Sequence, residues 1–421
     1  MAMKNQHRRR WAAGRVAARA QRGLTLIELM VAMTIGLFIV LGVGLFTVTA
    51  SRQFKTTDAN SAADVNTQVA LSLIDDAGRS AGAGLYNNGL PVCRTLNAWR
   101  NGATTSNGTV FMPARIARIG TDSSDTIVFT AGRAQGALSS MPLVAAMADA
   151  NASVVVSSGG VINNGDYALI GVPVDTTATP APPTPPPCTL IQVTAAPVPQ
   201  NTVAACGGNA SSCQTLARAG GSTGANPTSA STAFATPATY GFAASGVVSG
   251  PAVVTRLGSE FRQTAFRVMC GSLVTYNAFT DTPACTSAAS FSGGANAVVS
   301  DVVLVHAQYG VIAVGAANDE VTSWVSASGV WANPSAGDAA RVKAIRVVLV
   351  TRAKEPDLAQ VSAACTNGAG IANTGPCGFD DAQAPAIDVS GLTVAPGRTW
   401  QNYRYRTHTA VIPLRSVIWS M

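Results

Sequence analysis

Glu28 is the sole charged residue between Arg22 and Arg52, in a run from Leu24 to Ala50 that reads LTLIELMVAMTIGLFIVLGVGLFTVTA. An ionised carboxylate in lipid is costly unless it has a partner or a use. Gly23 precedes the run and follows Arg22 directly. A cut after Gly23 would create a new α-amino group on Leu24, one helical turn from Glu28 on the same chain or on a neighbour's. That amine and that carboxylate would neutralise one another where the dielectric is low. The plainer alternative is a carboxylate that snorkels from the interfacial edge of the run.

A second set of reactive side chains is sulfur. The eight cysteines are Cys93, Cys188, Cys206, Cys213, Cys270, Cys285, Cys365 and Cys377, all beyond the apolar run. An even number in an exported region reads as disulfides. Cys206 and Cys213, Cys270 and Cys285, and Cys365 and Cys377 are near neighbours. Elimination then leaves Cys93 with Cys188, one of many pairings that eight cysteines allow. A zinc site would need thiolates and imidazoles at short ligand spacing, and no CxxC pair occurs.

The only histidines are His7, His306 and His408. His306 lies inside an apolar strand pattern and His408 beside Arg404 and Arg406, which suits packed or hydrogen-bonded roles. No GxSxG, HExxH or P-loop spacing is present, so the reading is non-enzymatic, without metal or cofactor. Asn318-Asp319-Glu320 lacks EF-hand spacing and reads as a polar turn.

The elements that hold these residues follow from composition. The chain has 421 residues, 47% hydrophobic and only 12% charged, which suggests β-structure in two or three units. The net charge of +7 is local: seven of the 28 basic residues lie before Gly23 with no acid, and the remaining 21 match 21 acids. A nucleic-acid face is therefore not expected, and Arg404 and Arg406 read as a solvated strand face. Leu29 to Ala50 is long enough to span a bilayer as a helix. The basic tail before it places the N-terminus in the cytoplasm. Gly23 precedes the apolar run, whereas an ordinary secretory signal is cleaved after it.

The helix is predicted to continue to the glycines at Gly78, Gly82 and Gly84. Ala62, Val65, Val69, Leu73 and Ala77 form a stripe expected to pack on a sheet. Beyond residue 85, β-branched runs alternate with turn residues. Candidate strands are Thr126–Thr130, Ser153–Val156, Tyr167–Val172, Leu190–Thr194, Phe261–Cys270, Leu273–Phe279, Asp301–Val314, Val342–Thr351 and Tyr403–Ile412. Thr176–Pro187 reads TTATPAPPTPPP, and Asn201–Gly250 is rich in Ala, Gly, Ser and Thr. Residues 173–250 are therefore read as an insertion or long surface loop. The expected class is α+β: a long N-terminal helix, half transmembrane and half amphipathic, packed on an antiparallel β-sheet-rich region.

Arg22-Gly23-Leu24-Thr25-Leu26-Ile27-Glu28-Leu29-Met30-Val31-Ala32 resembles the class III signal of type IV pilins and type II secretion pseudopilins. The resemblance implies cleavage between Gly23 and Leu24 by a prepilin peptidase, N-methylation of Leu24, and Glu28 as the assembly glutamate. Family members usually carry Phe after the cut, where this chain has Leu24. Three further stretches resemble the C-terminal half of PilW-like minor pilins: Val302–Val314 (VVLVHAQYGVIAV), Val342–Arg352 (VKAIRVVLVTR) and Tyr403–Trp419 (YRYRTHTAVIPLRSVIW). Ser416 stands where many members have Asn.

The resemblance implies a leader at 1–23, a pilin helix at 24–82, a β-rich pilin domain at 83–172 and 251–421, and the insertion at 173–250 between them. It implies inner-membrane insertion with a periplasmic C-terminal region and, later, a pilus at the cell surface. Its expected partners are the peptidase, minor and major pilins, the inner-membrane assembly platform and membrane lipid. A minor pilin at or near the tip that helps initiate assembly is the first expectation. A minor pseudopilin of a type II secretion system and a pilus-associated adhesin are the alternatives.

Overall fold

The computed structural model describes residues 25–87, 90–118, 124–132, 140–147, 152–157, 161–172, 187–200, 206, 212–221, 224–228, 233–234, 252–287, 290–316 and 318–418. The chain divides into two units, Met1–Asn60 and Ser61–Met421, and helix α1 (Leu26–Ser80) contributes residues to both. Gly82 and Gly84, both at positive φ, turn the chain away just after α1.

Most of the second unit is sheet. A six-stranded sheet is built from β1 (Thr95–Arg100), β2 (Ala103–Val110), β5 (Ser140–Pro142), β7 (Tyr167–Gly171), β8 (Cys188–Gln192) and β11 (Val253–Gly258), in the order β2-β1-β8-β7-β11-β5. Its β1–β8 pair is parallel, whereas its other pairs are antiparallel. A three-stranded sheet joins β6 (Val154–Ser157), β9 (Val198–Pro199) and β10 (Cys213–Leu216) in the order β9-β10-β6.

Two further sheets carry the argument below. The first is five-stranded, in the order β14-β13-β12-β4-β3. Its strands are β3 (Ala114–Arg118), β4 (Asp125–Gly132), β12 (Phe261–Met269), β13 (Ser272–Asn277) and β14 (Asn296–Ser300). The second is four-stranded, in the order β16-β15-β17-β18, from β15 (Val302–Val311), β16 (Ser323–Ser326), β17 (Val342–Arg352) and β18 (Tyr405–Pro413).

Every residue of β15 is buried, and all of β17 but its last. That explains their nearly unbroken Val, Leu and Ile: a strand covered on both faces has no solvent side on which to alternate. One face of this sheet shares a core with the five-stranded sheet through Val305, Ala307, Tyr309, Val347 and Leu349 against Ile116, Ile127, Phe129 and Phe266. The other face, with Leu304, Val348 and Val350, is closed by Ile387 and Val389.

Segment 173–250 supplies sheet as well as loop. β8 lies between β1 and β7 in the six-stranded sheet, and β10 pairs with β6. The proline run before residue 187 lies outside the described residues.

All eight cysteines are bridged, as Cys93–Cys188, Cys206–Cys213, Cys270–Cys285 and Cys365–Cys377. The first closes a loop with a sequence separation of 95 and sits in a buried cluster with Leu96, Leu190 and Phe261.

The helix docks by a different face from the one its sequence suggests. Val65, Val69 and Leu73 are 61%, 48% and 43% exposed, while Thr67, Ala70, Ile74 and Gly78 are buried. Ala62 is not among the residues whose side chains are described, and Ala77 is half-buried. The reason is proximity. A Cβ on Gly78 would run into Ile412 and come within 3.3 Å of the Phe129 ring. Sterically, then, the small-residue side of the helix can approach the sheet, with Ile74 fully buried as a plug and Leu71 packed beside it. The larger β-branched stripe is turned outward.

Candidate functional site

Within the first unit, α1 presents a candidate membrane span, Leu26–Thr47, of 22 residues and mean hydropathy 2.6, none of it buried. Leu26, Ile27, Met30, Met33, Leu37, Phe38, Val40 and Phe46 are each at least 60% exposed. A helix apolar all round with no protein around it requires either lipid or other helices.

Glu28 sits in the first turn. Its Oε2 accepts from the backbone N–H of Thr25 at 3.2 Å and from the Thr25 hydroxyl at 3.1 Å. The Thr25 Oγ1 in turn accepts from the Glu28 N–H at 3.3 Å. This is a capping box, Thr at the cap and Glu three residues on, which satisfies two amides that have no partner within the helix. The Thr25-x-x-Glu28 spacing is the sequence signature of this cap, beside the membrane charge that Glu28 also carries. Gly23 and Leu24 lie outside the described residues, so an amine at Leu24 is not part of this geometry.

In the second unit the stretches singled out in the C-terminal half prove to be one interlocked network. Gln308, Tyr309 and Gly310 are consecutive on β15, and each has a separate task. Arg346 on β17 donates Nε to Gln308 Oε1 at 2.7 Å and forms a forked pair with Asp381 at 2.5 and 3.1 Å. Its guanidinium lies 4.9 Å from the Trp324 ring centroid and 4.4 Å from that of Phe379. Only a planar, always-charged head serves both the fork and the two ring faces. The Arg346 bond holds Asp381 below the ordinary carboxylate range even though the Asp381 side chain is half-exposed.

Tyr309 turns to the opposite face, where its hydroxyl accepts the Ile116 N–H at 2.6 Å and donates back to the Ile116 carbonyl at 3.3 Å. Burial pushes its phenol up to about 12, so the donor proton is retained. A Cβ at Gly310 would come within 2.7 Å of the Trp324 ring. Ser416 donates from Oγ to the Ala81 carbonyl just past α1, so the last part of the described chain clasps the end of the helix.

Both downstream histidines are engaged. His306 meets the Asp125 carboxylate through Nδ1 at 3.2 Å, and the same oxygen accepts the Ala307 N–H at 3.0 Å. Burial alone would raise Asp125, but the His306 bond and charge, the Ala307 N–H and Arg118 outweigh it and hold the carboxyl low. No hydrogen bond between His306 and a serine hydroxyl occurs among the described residues. His408 on β18 lies 3.5 Å from Asp64 on α1 without hydrogen-bond geometry, and its buried Nε2 is left unbonded.

Asp319 pairs with Lys343 at 2.9 Å and Arg404 with Asp357 at 2.9 Å. Among the described residues no three His, Cys, Asp or Glu side chains converge as a metal site.

Comparison with known families gives two matches. A model of the prokaryotic N-terminal methylation motif matches residues 18–44, which cover Glu28 and most of the exposed apolar helix. A model of the type IV pilus-assembly protein W, PilW, matches residues 284–416, which contain the Gln308–Arg346–Asp381 network and the helix clasp at Ser416. Together the two matches support a PilW-like type IV pilin. No curated protein and no solved structure matches it.

The pilin therefore carries a single-pass anchor in α1 and a disulfide-bonded, strand-rich body. Residues 284–416 include the four-stranded sheet and the Cys285 and Cys365–Cys377 positions of two of its bridges. They exclude the six-stranded sheet and the 173–250 segment. Both matches point to a structural part in a type IV pilus system, alongside other pilins.

Proposed function

We propose that this pilin is a minor subunit placed at or near the pilus tip, where it helps to initiate assembly. In this reading residues 1–23 are a cytoplasmic leader removed by a prepilin peptidase between Gly23 and Leu24. Leu24 is then N-methylated, and the body faces the periplasm until the subunit enters the filament. Residues 24–82 form the pilin helix, and 83–172 and 251–421 form the body around the 173–250 insertion.

The observation that carries this reading is the coincidence of the methylation motif with an apolar helix that has no protein cover over 26–47. Extracting such a segment from lipid becomes favourable when neighbouring helices replace the acyl chains through close packing. Glu28 then has two successive uses. Before assembly it caps its own helix. In the filament its carboxylate turns to the α-amine of an adjacent subunit and sets the register.

Mass spectrometry of the mature N-terminus tests the reading. The expected product begins with a methylated Leu24. A mature chain that still carries residues before Leu24 in cells with a working peptidase would overturn it. A deletion strain separates the system served: loss of twitching is expected, and loss of enzyme secretion with intact twitching would place the chain among the type II secretion pseudopilins.

A further inference from the structure

A cavity of about 400 Å³ opens where the five-stranded and four-stranded sheets meet, lined by Arg118 and Asp125 of the first, His306 and Ser326 of the second, and Ser328 and Pro385 from adjoining loops. Its volume falls within the range of small-ligand pockets. The His306 and Asp125 side chains are 9% and 10% exposed. They satisfy part of their hydrogen-bonding capacity in one another, and what remains can face a polar ligand in the void.

The chemistry of the lining narrows the occupant. With Nδ1 on Asp125, His306 presents Nε2 to the cavity, as an acceptor when the ring is neutral and as a donor when it is protonated, and a hydroxyl meets either. No protein partner of Nε2 is recorded among the described residues. Arg118 commits Nε and Nη2 to Asp125 Oδ1 at 3.3 and 3.2 Å, Nη1 has no partner among the described residues, and the side chain is 55% exposed. Ser326 and Ser328 are both exposed, and their hydroxyls can donate or accept. The Asp125 charge is already used by His306, Ala307 and Arg118. The spare capacity is therefore one guanidinium edge, one imidazole nitrogen, the Ser328 hydroxyl and the proton of the Ser326 hydroxyl, whose oxygen accepts from Gln308 Nε2 at 3.0 Å, beside the apolar surfaces of Pro385 and Ala327. A divalent cation is disfavoured by the arginine. An aliphatic ligand would leave the imidazole unsatisfied.

We propose that this cavity is a binding site for a hydroxyl-rich carboxylate of monosaccharide size, a uronic acid, with its carboxylate on Arg118 and a ring hydroxyl on His306. The proposal does not depend on where in a pilus the subunit sits. The free acid and the end of an acidic polysaccharide present the same group.

Isothermal titration of the full chain in detergent with sodium D-galacturonate tests it, with D-galactose and acetate as comparators. Saturable binding of galacturonate at millimolar concentration or below is expected, with galactose and acetate at least tenfold weaker. Arg118→Gln and Ser328→Val are both at accessible positions and should each weaken galacturonate tenfold or more while leaving the thermal transition in place. His306→Gln should do the same with the fold confirmed by circular dichroism. Trigalacturonate that binds as well as the monomer assigns the site to a polysaccharide end, and its exclusion assigns it to the free acid. Absence of galacturonate heat, equal binding of galactose, or indifference to both Arg118→Gln and Ser328→Val would overturn the proposal.

Discussion

The hydroxyl of Tyr309 receives the backbone N–H of Ile116 at 2.6 Å, and so a side chain of β15 stands in for the strand that the free edge of β3 lacks. Both atoms are buried, which makes the bond costly to leave unmade. Tyr309→Phe removes the oxygen and strands that N–H. A loss of about 1–3 kcal/mol is expected, to be read from denaturant midpoints at unchanged m-value. An unaltered midpoint would show that the edge amide finds water instead.

The docking face of α1 makes a prediction against helix propensity. Alanine is about 1 kcal/mol better than glycine inside a helix. Gly78→Ala should nevertheless destabilise the body by about 1–3 kcal/mol, the usual range for overpacking, because its Cβ runs into Ile412 and meets Phe129. Val69→Ala lies on the outward stripe and should change stability little. Thermal melts of the two variants decide whether the small-residue side is the one that packs.

Asp125 predicts acid sensitivity with a definite sign. Its folded pKa is lowered, the neighbours His306, Ala307 and Arg118 outweighing burial. The unfolded chain therefore holds more protons at acidic pH, and the contribution is fully present above the unfolded value of about 3.9. It disappears as pH falls through the lower folded value. Asp125→Asn should flatten the stability profile below about pH 4. A wild-type profile as flat as the variant's would remove the pair from the account.

Glu28 separates charge from capping. Gln at the third helical position can still complete a capping box, yet it carries no charge to seek an amine. Glu28→Gln should leave cleavage at Gly23 intact while reducing incorporation into pili, and Glu28→Ala should do the same with additional fraying of the first turn. Normal piliation by Glu28→Gln would leave capping as the only role of the residue.

The bridges should differ in worth. Chain-entropy reasoning scales with the loop closed, so removing Cys93–Cys188 should cost about 4–5 kcal/mol and removing Cys206–Cys213 about 2–3 kcal/mol. The sequence separations are 95 and 7. Paired Cys→Ala variants compared by urea denaturation test the ranking.

How much of this was legible in the residues varies with the physics involved. The apolar run, its end near Gly78 and the strands around Tyr167, Phe261, Val302 and Val342 follow from local periodicity, and the structure places elements there. The docking face of α1 did not, because two stripes of similar hydrophobicity run along it. Only the neighbours Ile412 and Phe129, more than 300 and about 50 residues away, decide between them. β1, β2 and β11 were not singled out, since Ala, Asn, Gly and Thr give them a weak period-two signal. The partners of Gln308, Tyr309 and Arg346 were likewise hidden, because Asp381 and Ile116 lie far along the chain.

The clasp between Ser416 and Ala81 has a temporal consequence. Residues exported in order from the N-terminus would present the helix long before its lock arrives, 335 positions later. β18, which supplies Ile412 against Gly78, also emerges among the last. Until then the inner side of residues 67–81 has only the five-stranded sheet, through Ile127, Phe129 and Phe266, to lie on. A chain cut anywhere between Gly132 and Tyr405 would therefore hold its helix on one sheet only, with neither Ile412 nor Ser416 to fix it.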